Sequence, residues 1–175
     1  MNQLAEYRFR RAGRTDAQGV AQLLVDAYRT WTDGGLRPKA AFYTARDVEV
    51  DLRTKEVWVL EGAAGMVGTA TLRLVGSGGN RYFYLTHLAT APILQGRGVG
   101  SLMISMIESE AQRRGVFQLR LDTAVTKKGL VAFYTARGFL RFGERFRWNV
   151  ASAYESQKYV KHLVWVPPAK SRHLT

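Results

Sequence analysis

YFYLTHLATAPILQGRGVGSLMISMIESEAQRR, residues 82–114, changes its period partway along. Up to Thr90 the aromatic and aliphatic residues suit a strand. Beyond Pro92, Leu102, Met103, Met106, Ile107 and Ala111 recur at helical spacing and end on a basic last turn, with Gly115 at the cap. Between the two lies Gln95-Gly96-Arg97-Gly98-Val99-Gly100. Glycines let a backbone approach a ligand closely, and the unpaired N–H groups and dipole of a helix's first turn favour phosphate oxygens. The segment therefore reads as strand, turn and helix around an anion site that could take a pyrophosphate. On these residues alone, a glycine-rich connection without a ligand stays open.

Two other nucleotide sites share parts of this pattern. A phosphate-binding loop of the ATPase kind needs Gly-Lys-Ser/Thr, so that a lysine reaches the terminal phosphates and a hydroxyl holds magnesium. Here Gly100 is followed by Ser101 and Leu102. A dinucleotide fold would use three spaced glycines with an acid such as Asp122 about 20 residues further on. Ser101 or Met103 falls where its third glycine belongs, and the hairpin-rich lead-in also argues against it.

Working outward, residues 7–11 alternate as a strand, and Thr15 and Asp16 offer a cap for the helix carrying Val20, Leu23, Leu24, Ala27 and Tyr28. The segment WTDGGLRP, 31–38, breaks the pattern before a second amphipathic helix over about 40–52. Residues 57–61 and 66–75 flank the turn EGAAG, and GSGGN at 76–80 leads into the strand ending at Thr90. VFQLRLDTA predicts a strand with Phe117, Leu119 and Leu121 on one face. A short helix over 128–137 stops at Gly138, and residues 139–148 and 158–166 read as two last strands joined through VASAYESQ. The order βααβββαβαββ describes a mixed α/β domain over 1–166, with a loose tail over 167–175.

The composition bounds the partners. The 175 residues are 46% hydrophobic, enough for one sizeable core, and the apolar runs stay short of a membrane span. The first residues, MNQLAEYRFRRAGR, carry charge where a secretory signal would be apolar, so the cytoplasm is the expected compartment. There is no cysteine, which removes disulfides, thiolate metal sites and a cysteine-bound thioester. With 26 Lys and Arg against 14 Asp and Glu, the net charge of +12 favours anionic partners without choosing among them.

The run LATAPILQGRGVG resembles the signature of the GNAT superfamily of N-acetyltransferases: Gln or Arg, two residues, Gly, one residue and Gly, after a strand that ends near a proline. Gln95, Gly98 and Gly100 match its fixed positions. A second signature, an aromatic-Tyr pair followed by Gly-Phe, is matched by Phe133-Tyr134 and Gly138-Phe139. The resemblance covers roughly residues 5–166. It implies an enzyme that moves an acetyl or other acyl group from acetyl-CoA directly to a primary amine, without a metal. It places the pyrophosphate on the backbone amides of Gln95, Gly96, Arg97, Gly98, Val99 and Gly100, with Ser101 also at the cofactor and the Arg97 side chain either neutralising phosphate charge or solvated on the loop. It implies that the strand ending at Thr90 splays from the strand ending at Asp122 and opens a cleft for the pantetheine arm. That arm would bond the backbone of Leu88, Ala89 and Thr90, with the Leu88 N–H polarising the thioester carbonyl. Tyr134 would protonate the departing thiolate, since a phenol with an ordinary pKa of about 10 keeps its proton at neutral pH. Many members carry Asn where this chain has Lys127, so Lys127 and its neighbour Lys128 read either as phosphate ligands or as a solvated helix start.

The resemblance does not supply the base. Alternation from Leu88 puts Tyr84 and Thr86 on the face where family members carry one, and His87 on the other face as a packed histidine; His162 in the last strand offers no better base. An unassisted lysine amine needs about 4.6 kcal/mol to be neutral at pH 7 and an α-amine about 1.1, so the absent base leans toward amines of low pKa, though a water chain to Asp33, Glu61 or Glu144 stays open. The acceptor pocket is expected at Trp31, Asp33, Tyr84, Thr86 and Tyr154, whose rings and polar groups suit an amine-bearing small molecule or peptide. The alternative function is a basic acyl-CoA-binding module that docks on nucleic acid or an acidic protein without turnover, with RYFY at 81–84 as a base-stacking tract. That tract reads better as an ordinary strand, so nucleic acid is not the favoured partner, and a homodimer stays open.

Overall fold

The computed structural model describes residues 7–148 and 154–164. Its strands and helices follow the predicted order: β1 (Arg8–Arg11), α1 (Ala17–Asp33), α2 (Ala45–Thr54), β2 (Glu56–Gly62), β3 (Gly65–Val75), β4 (Tyr82–Thr90), α3 (Val99–Arg113), β5 (Gln118–Ala124), α4 (Lys128–Thr135), β6 (Leu140–Phe146) and β7 (Ser156–His162). The strands form one seven-stranded sheet in the order β1-β2-β3-β4-β5-β7-β6. Every neighbouring pair is antiparallel except β4 and β5, which run parallel at its centre. A parallel pair needs a crossover, and α3 supplies it.

Strand alternation gives the sheet two apolar faces, and each is covered by helices. On one side Phe83, Leu85, Leu119 and Leu121 pack with Met103, Ile104 and Ile107 of α3 and Tyr134 of α4. On the other, Val57, Val59 and Ala89 pack with Val20 and Leu24 of α1 and Val48 of α2. The fold is thus a mixed α/β sheet between helix pairs, as the residue pattern predicts.

Three local predictions shift. The second helix begins at Ala45 rather than near Ala40, because Thr44 and Asp47 close a capping box there and residues 39–42 form a single 3₁₀ turn after Pro38. Phe117 stays outside β5 and is 36% exposed, while Leu119 and Leu121 are buried. The last strand starts at Ser156, two residues early and through polar side chains. Gln157 is buried because its amide donates to the Phe142 and Gly143 carbonyls, at 2.9 and 3.1 Å, where the β6 register breaks. The tail at 167–175 and residues 150–153 of the VASAYESQ connection lie outside the described residues. Among the described residues no helix is long and apolar enough to cross a membrane.

Candidate active-site cleft

The site begins where β4 and β5 part. They pair only at Phe83↔Leu119 and Tyr84↔Arg120, and no ladder joins them beyond. On its other edge β4 carries a bulge: Thr86 pairs with Thr71 and Ala89 with Thr69, so His87 and Leu88 together face Ala70. His87 takes up the extra residue at a φ of 52°. The two irregularities open a cleft of about 780 Å³ that runs along β4 and β5, past the start of α3, to α4.

The bulge overturns the simple alternation. Leu88 packs toward the α3 side of the sheet, whereas Ala89 belongs to the α1 side, as do Thr69 and Thr71 opposite Ala89 and Thr86. Tyr84 and Thr86 therefore do not share a face with Leu88. His87 shares theirs, and its ring lies 4.6 Å from that of Tyr43.

At one end, the turn after Pro92 brings the glycines to the mouth of α3. Gly96 and Gly98 have φ of 75° and 87°, and no atom lies within 4 Å of where a Cβ would stand on either. Gly98 is the N-cap of α3 in the left-handed conformation. Its carbonyl accepts from Leu102 N–H at 3.0 Å, leaving the Val99, Gly100 and Ser101 N–H groups as the unpaired first turn. Gly96, Gly98, Gly100, Ser101 and Gln95 line the cleft; Val99 turns its side chain into the core, and Arg97 is exposed and outside the lining. The guanidinium that does line this end is Arg137. It donates to Phe133 O at 2.6 Å and to Ser101 Oγ, and stands 3.7 Å over the Phe133 ring. Only its place beside Gly138-Phe139 hinted at it in sequence.

Tyr134 forms part of the wall. It is 8% exposed and packs edge-on against Phe133 and Phe139 at 5.1 and 5.6 Å. Burial, reinforced by the charge of Asp122, pushes its phenol well above the ordinary value. No described residue hydrogen-bonds its hydroxyl, and the oxygen is not sealed from the cleft.

The other end is aromatic. The Trp31 ring meets Tyr28 at 5.1 Å and Tyr154 at 6.3 Å, and Lys127 Nζ lies 5.0 Å from the same ring, so Lys127 reaches across the cleft instead of into solvent. Tyr84 donates to Asp122 Oδ1, and Thr86 Oγ1 donates to Thr71 O at 3.4 Å. Of the five residues expected at the acceptor pocket, Trp31 and Thr86 line the cleft, whereas Tyr84, Tyr154 and Asp33, exposed at the last position of α1, do not; the carboxylate that does is Asp122. The tract at 81–84 is occupied within the sheet: Phe83 is fully buried and Arg120 covers Tyr82 at 3.9 Å.

His87 also lines the cleft, beside a carboxylate. Asp51 Oδ2 is 3.6 Å from its Nδ1, but that carboxylate already accepts from Lys55 Nζ at 2.7 Å and Tyr43 OH at 3.0 Å, and Nδ1 has no hydrogen-bond partner. Burial outweighs the pull of Asp51 and, aided by the charges of Lys55 and Lys39, depresses the imidazole to about 4. It is neutral at pH 7. The unfolded chain binds this proton near pH 6.5 and the folded one does not, so stability present above pH 6.5 is lost as pH falls toward 4. Between pH values of about 7.5 and 4.5, urea midpoints should cost the wild type roughly 2 kcal/mol more than His87→Asn, which tolerates the positive φ. Equal losses would mean that folded His87 is charged and truly paired with Asp51.

A model described as the acetyltransferase (GNAT) family matches residues 17–139. No curated protein sequence matches the chain. Among solved structures, the ribosomal-protein-S18-alanine N-acetyltransferase from Escherichia coli superposes with a TM-score of 0.70 at 14% identity, covering 93% of this chain and 97% of that one. A spermidine N-acetyltransferase chimera from Vibrio cholerae and hSSAT gives 0.71 at 16%, over 90% and 95%. A GNAT family acetyltransferase from Elizabethkingia anophelis with acetyl-CoA bound gives 0.65 at 13%, over 90% and 99%. At such identities these likenesses concern the fold.

Proposed function

The chain belongs to the acetyltransferase (GNAT) family, and on that premise we propose that it transfers an acetyl group from acetyl-CoA directly to a primary amine in the β4–β5 cleft. The observation that carries this reading is the conjunction of the open glycine turn at the start of α3 with the unbonded Tyr134 hydroxyl on the wall of the same cleft. The residues present fit the cofactor. A Cβ at Gly96 or Gly98 would project into open space beside unpaired amides, which is the shape a pyrophosphate needs.

Acetyl-CoA supplies a thioester, whose acyl carbon takes the amine's lone pair as the C–S bond breaks. The amides of Gly96 and of Gly98 to Ser101 would hold the diphosphate, since those of Gln95 and Arg97 already donate to Pro92 O and Leu94 O, and Arg137, in the turn after α4, supports Ser101. The backbone of Leu88, Ala89 and Thr90, freed from β5 by the splay, would offer its hydrogen-bonding groups to the pantetheine arm, and the Leu88 N–H would polarise the thioester carbonyl. Tyr134 gives its proton to the leaving sulfur. Lys127, with its ammonium 5.0 Å from the Trp31 ring, adds positive charge at the aromatic end of the cleft. Trp31 and Thr86, which line the cleft, receive the acceptor from the far side, and Tyr84 on Asp122 and Tyr154 edge-on to Trp31 support them from outside the lining. The neutral His87 can accept a hydrogen bond from the amine or a water on it, but at about 4 it is too weak to hold the proton, which leaves to solvent.

Thiol release from acetyl-CoA across a panel of amines and peptides tests the reading. Acetyl-CoA binding with no release from any acceptor, alongside salt-dependent nucleic-acid binding, would replace it with a binding module.

A further inference from the structure

Asp122 has no part in the transfer step, yet it is the only carboxylate among the described residues that line the cleft. Among the described residues its hydrogen bonds come from neutral donors, Tyr84 OH to Oδ1 and Trp148 Nε1 to Oδ2 at 3.0 Å. Among the described residues no lysine or arginine pairs with it, whereas Asp16, Asp51, Glu56 and Glu61 are all ion-paired. Two neutral donors orient the carboxylate without cancelling its charge, and its lone pairs are not exhausted. The rings of Tyr28 and Trp31 wall the same end, and Tyr154 packs edge-on to Trp31 at 6.3 Å. Burial first, and then the Asp122 charge, holds the Tyr154 phenol above its ordinary value, so the negative field reaches that wall. The Trp31 face already accepts an ammonium, that of Lys127 at 5.0 Å.

The register adds a distance. Tyr84 and Arg120 are level on parallel strands, so Asp122 comes level with Thr86, two residues short of Leu88. A regular strand would put them about 6.6 Å apart along its axis, and the bulge at His87 shortens this, so the spacer between two amines is bounded at roughly four methylenes.

We infer that the acceptor carries a fixed ammonium beside the amine that is acetylated, and that Asp122 holds this ammonium against the aromatic wall; the fitting class is a short aliphatic diamine or polyamine. The inference of a second, reacting amine rests on the acetyl-transfer reading, whereas the ammonium site does not. Of the other charged groups lining the cleft, Arg137 is tied to Phe133 and Ser101 at the phosphate end, Lys128 opens α4, and Lys127 rests on Trp31. Three more cations share the face of Asp122, and each rests on a ring instead of on the carboxylate: Lys158, directly across from it on β7, stands 5.0 Å from Phe146, Arg120 covers Tyr82 at 3.9 Å, and Arg73 lies 5.9 Å over Tyr84.

Trimethylenediamine and propanolamine share a chain length and differ in the charge at the far end; because that charge also lowers the pKa of the attacking amine, rates are compared per neutral amine group. With wild type, kcat/KM for thiol release should favour the diamine by about tenfold or more, the worth of one charged hydrogen-bonded contact. In Asp122→Asn the ratio should fall to about one while acetyl-CoA affinity stays at the wild-type value, and Trp31→Ala, at a half-buried ring, should lower it in part. Tryptophan fluorescence of the CoA complex, titrated with each amine, reads binding without turnover. An equal wild-type response to both amines, or a preference that survives Asp122→Asn, would overturn the ammonium site. Absence of thiol release from every amine would sink the transfer reading, while the fluorescence titration would still decide the site: a diamine response lost in Asp122→Asn upholds it, and equal responses end it.

Discussion

Tyr134→Phe is expected to lower kcat about 10²-fold while changing the acetyl-CoA dissociation constant by less than about twofold. The prediction separates chemistry from packing unusually well at this position. The ring contacts with Phe133 and Phe139 survive the substitution, and no described residue bonds the hydroxyl, so its loss orphans no partner. Stability should therefore hold. Because burial raises the phenol, Tyr134 stays protonated wherever the chain is folded, and its own ionisation should not bend the rate profile below about pH 10. The same shift makes it a modest acid toward a thiolate, which is why the expected factor is near 10² and not far larger: the hydroxyl stabilises developing charge on sulfur as the proton moves. Single-turnover rates with acetyl-CoA and a competent amine measure the chemical step. An unchanged rate would return Tyr134 to a core residue that happens to face the cleft.

The elements and their order were legible because they rest on local chemistry. The period change after Pro92, the left-handed glycine that caps α3, and the turn at Gly138 each act within a few residues, and the structure has them where the sequence puts them. What escaped depends on partners distant in sequence. The β4 bulge adds one residue opposite Ala70, and nothing in YFYLTHLAT announces it; every side-chain direction inferred from Leu88 reverses as a result. Gln157 looked like connection because its amide's partners, Phe142 and Gly143, sit on the neighbouring strand. The acid of the cleft was sought at Asp33, beside glycines in a loop. It lies instead at Asp122, in a strand whose alternation with Leu121 already aimed it at the opposite face from the α3 core.

Gly98→Asp is expected to weaken acetyl-CoA binding more than 10²-fold while the fold is kept, and the comparison that gives the result meaning is Gly98→Asn. Gly98 sits at a φ of 87°, where Asn and Asp are the side chains that suffer least, and no atom lies within 4 Å of the added Cβ. Both variants thus bear a similar backbone cost, of the order of 1 kcal/mol, and neither clashes. They differ in charge. For α3 alone an aspartate at the N-cap is favourable, since it faces the positive end of the dipole and can accept from the first-turn amides, so Gly98→Asp should melt no lower than Gly98→Asn. For a diphosphate on those amides the carboxylate is a competitor and a repulsive neighbour, worth about 3 kcal/mol at roughly 5 Å in an effective dielectric near 20. Stability and affinity should therefore move apart, which simple damage to the turn cannot produce. Calorimetric titration of acetyl-CoA into each folded variant, repeated at raised salt, measures this: Gly98→Asn should lose about tenfold at most, and the further gap to Gly98→Asp should narrow as salt screens the charges. If Gly98→Asp binds as the wild type does, or if the two variants are equally weak at every salt concentration, then no anion lies at the start of α3 and the cofactor enters the cleft by another route.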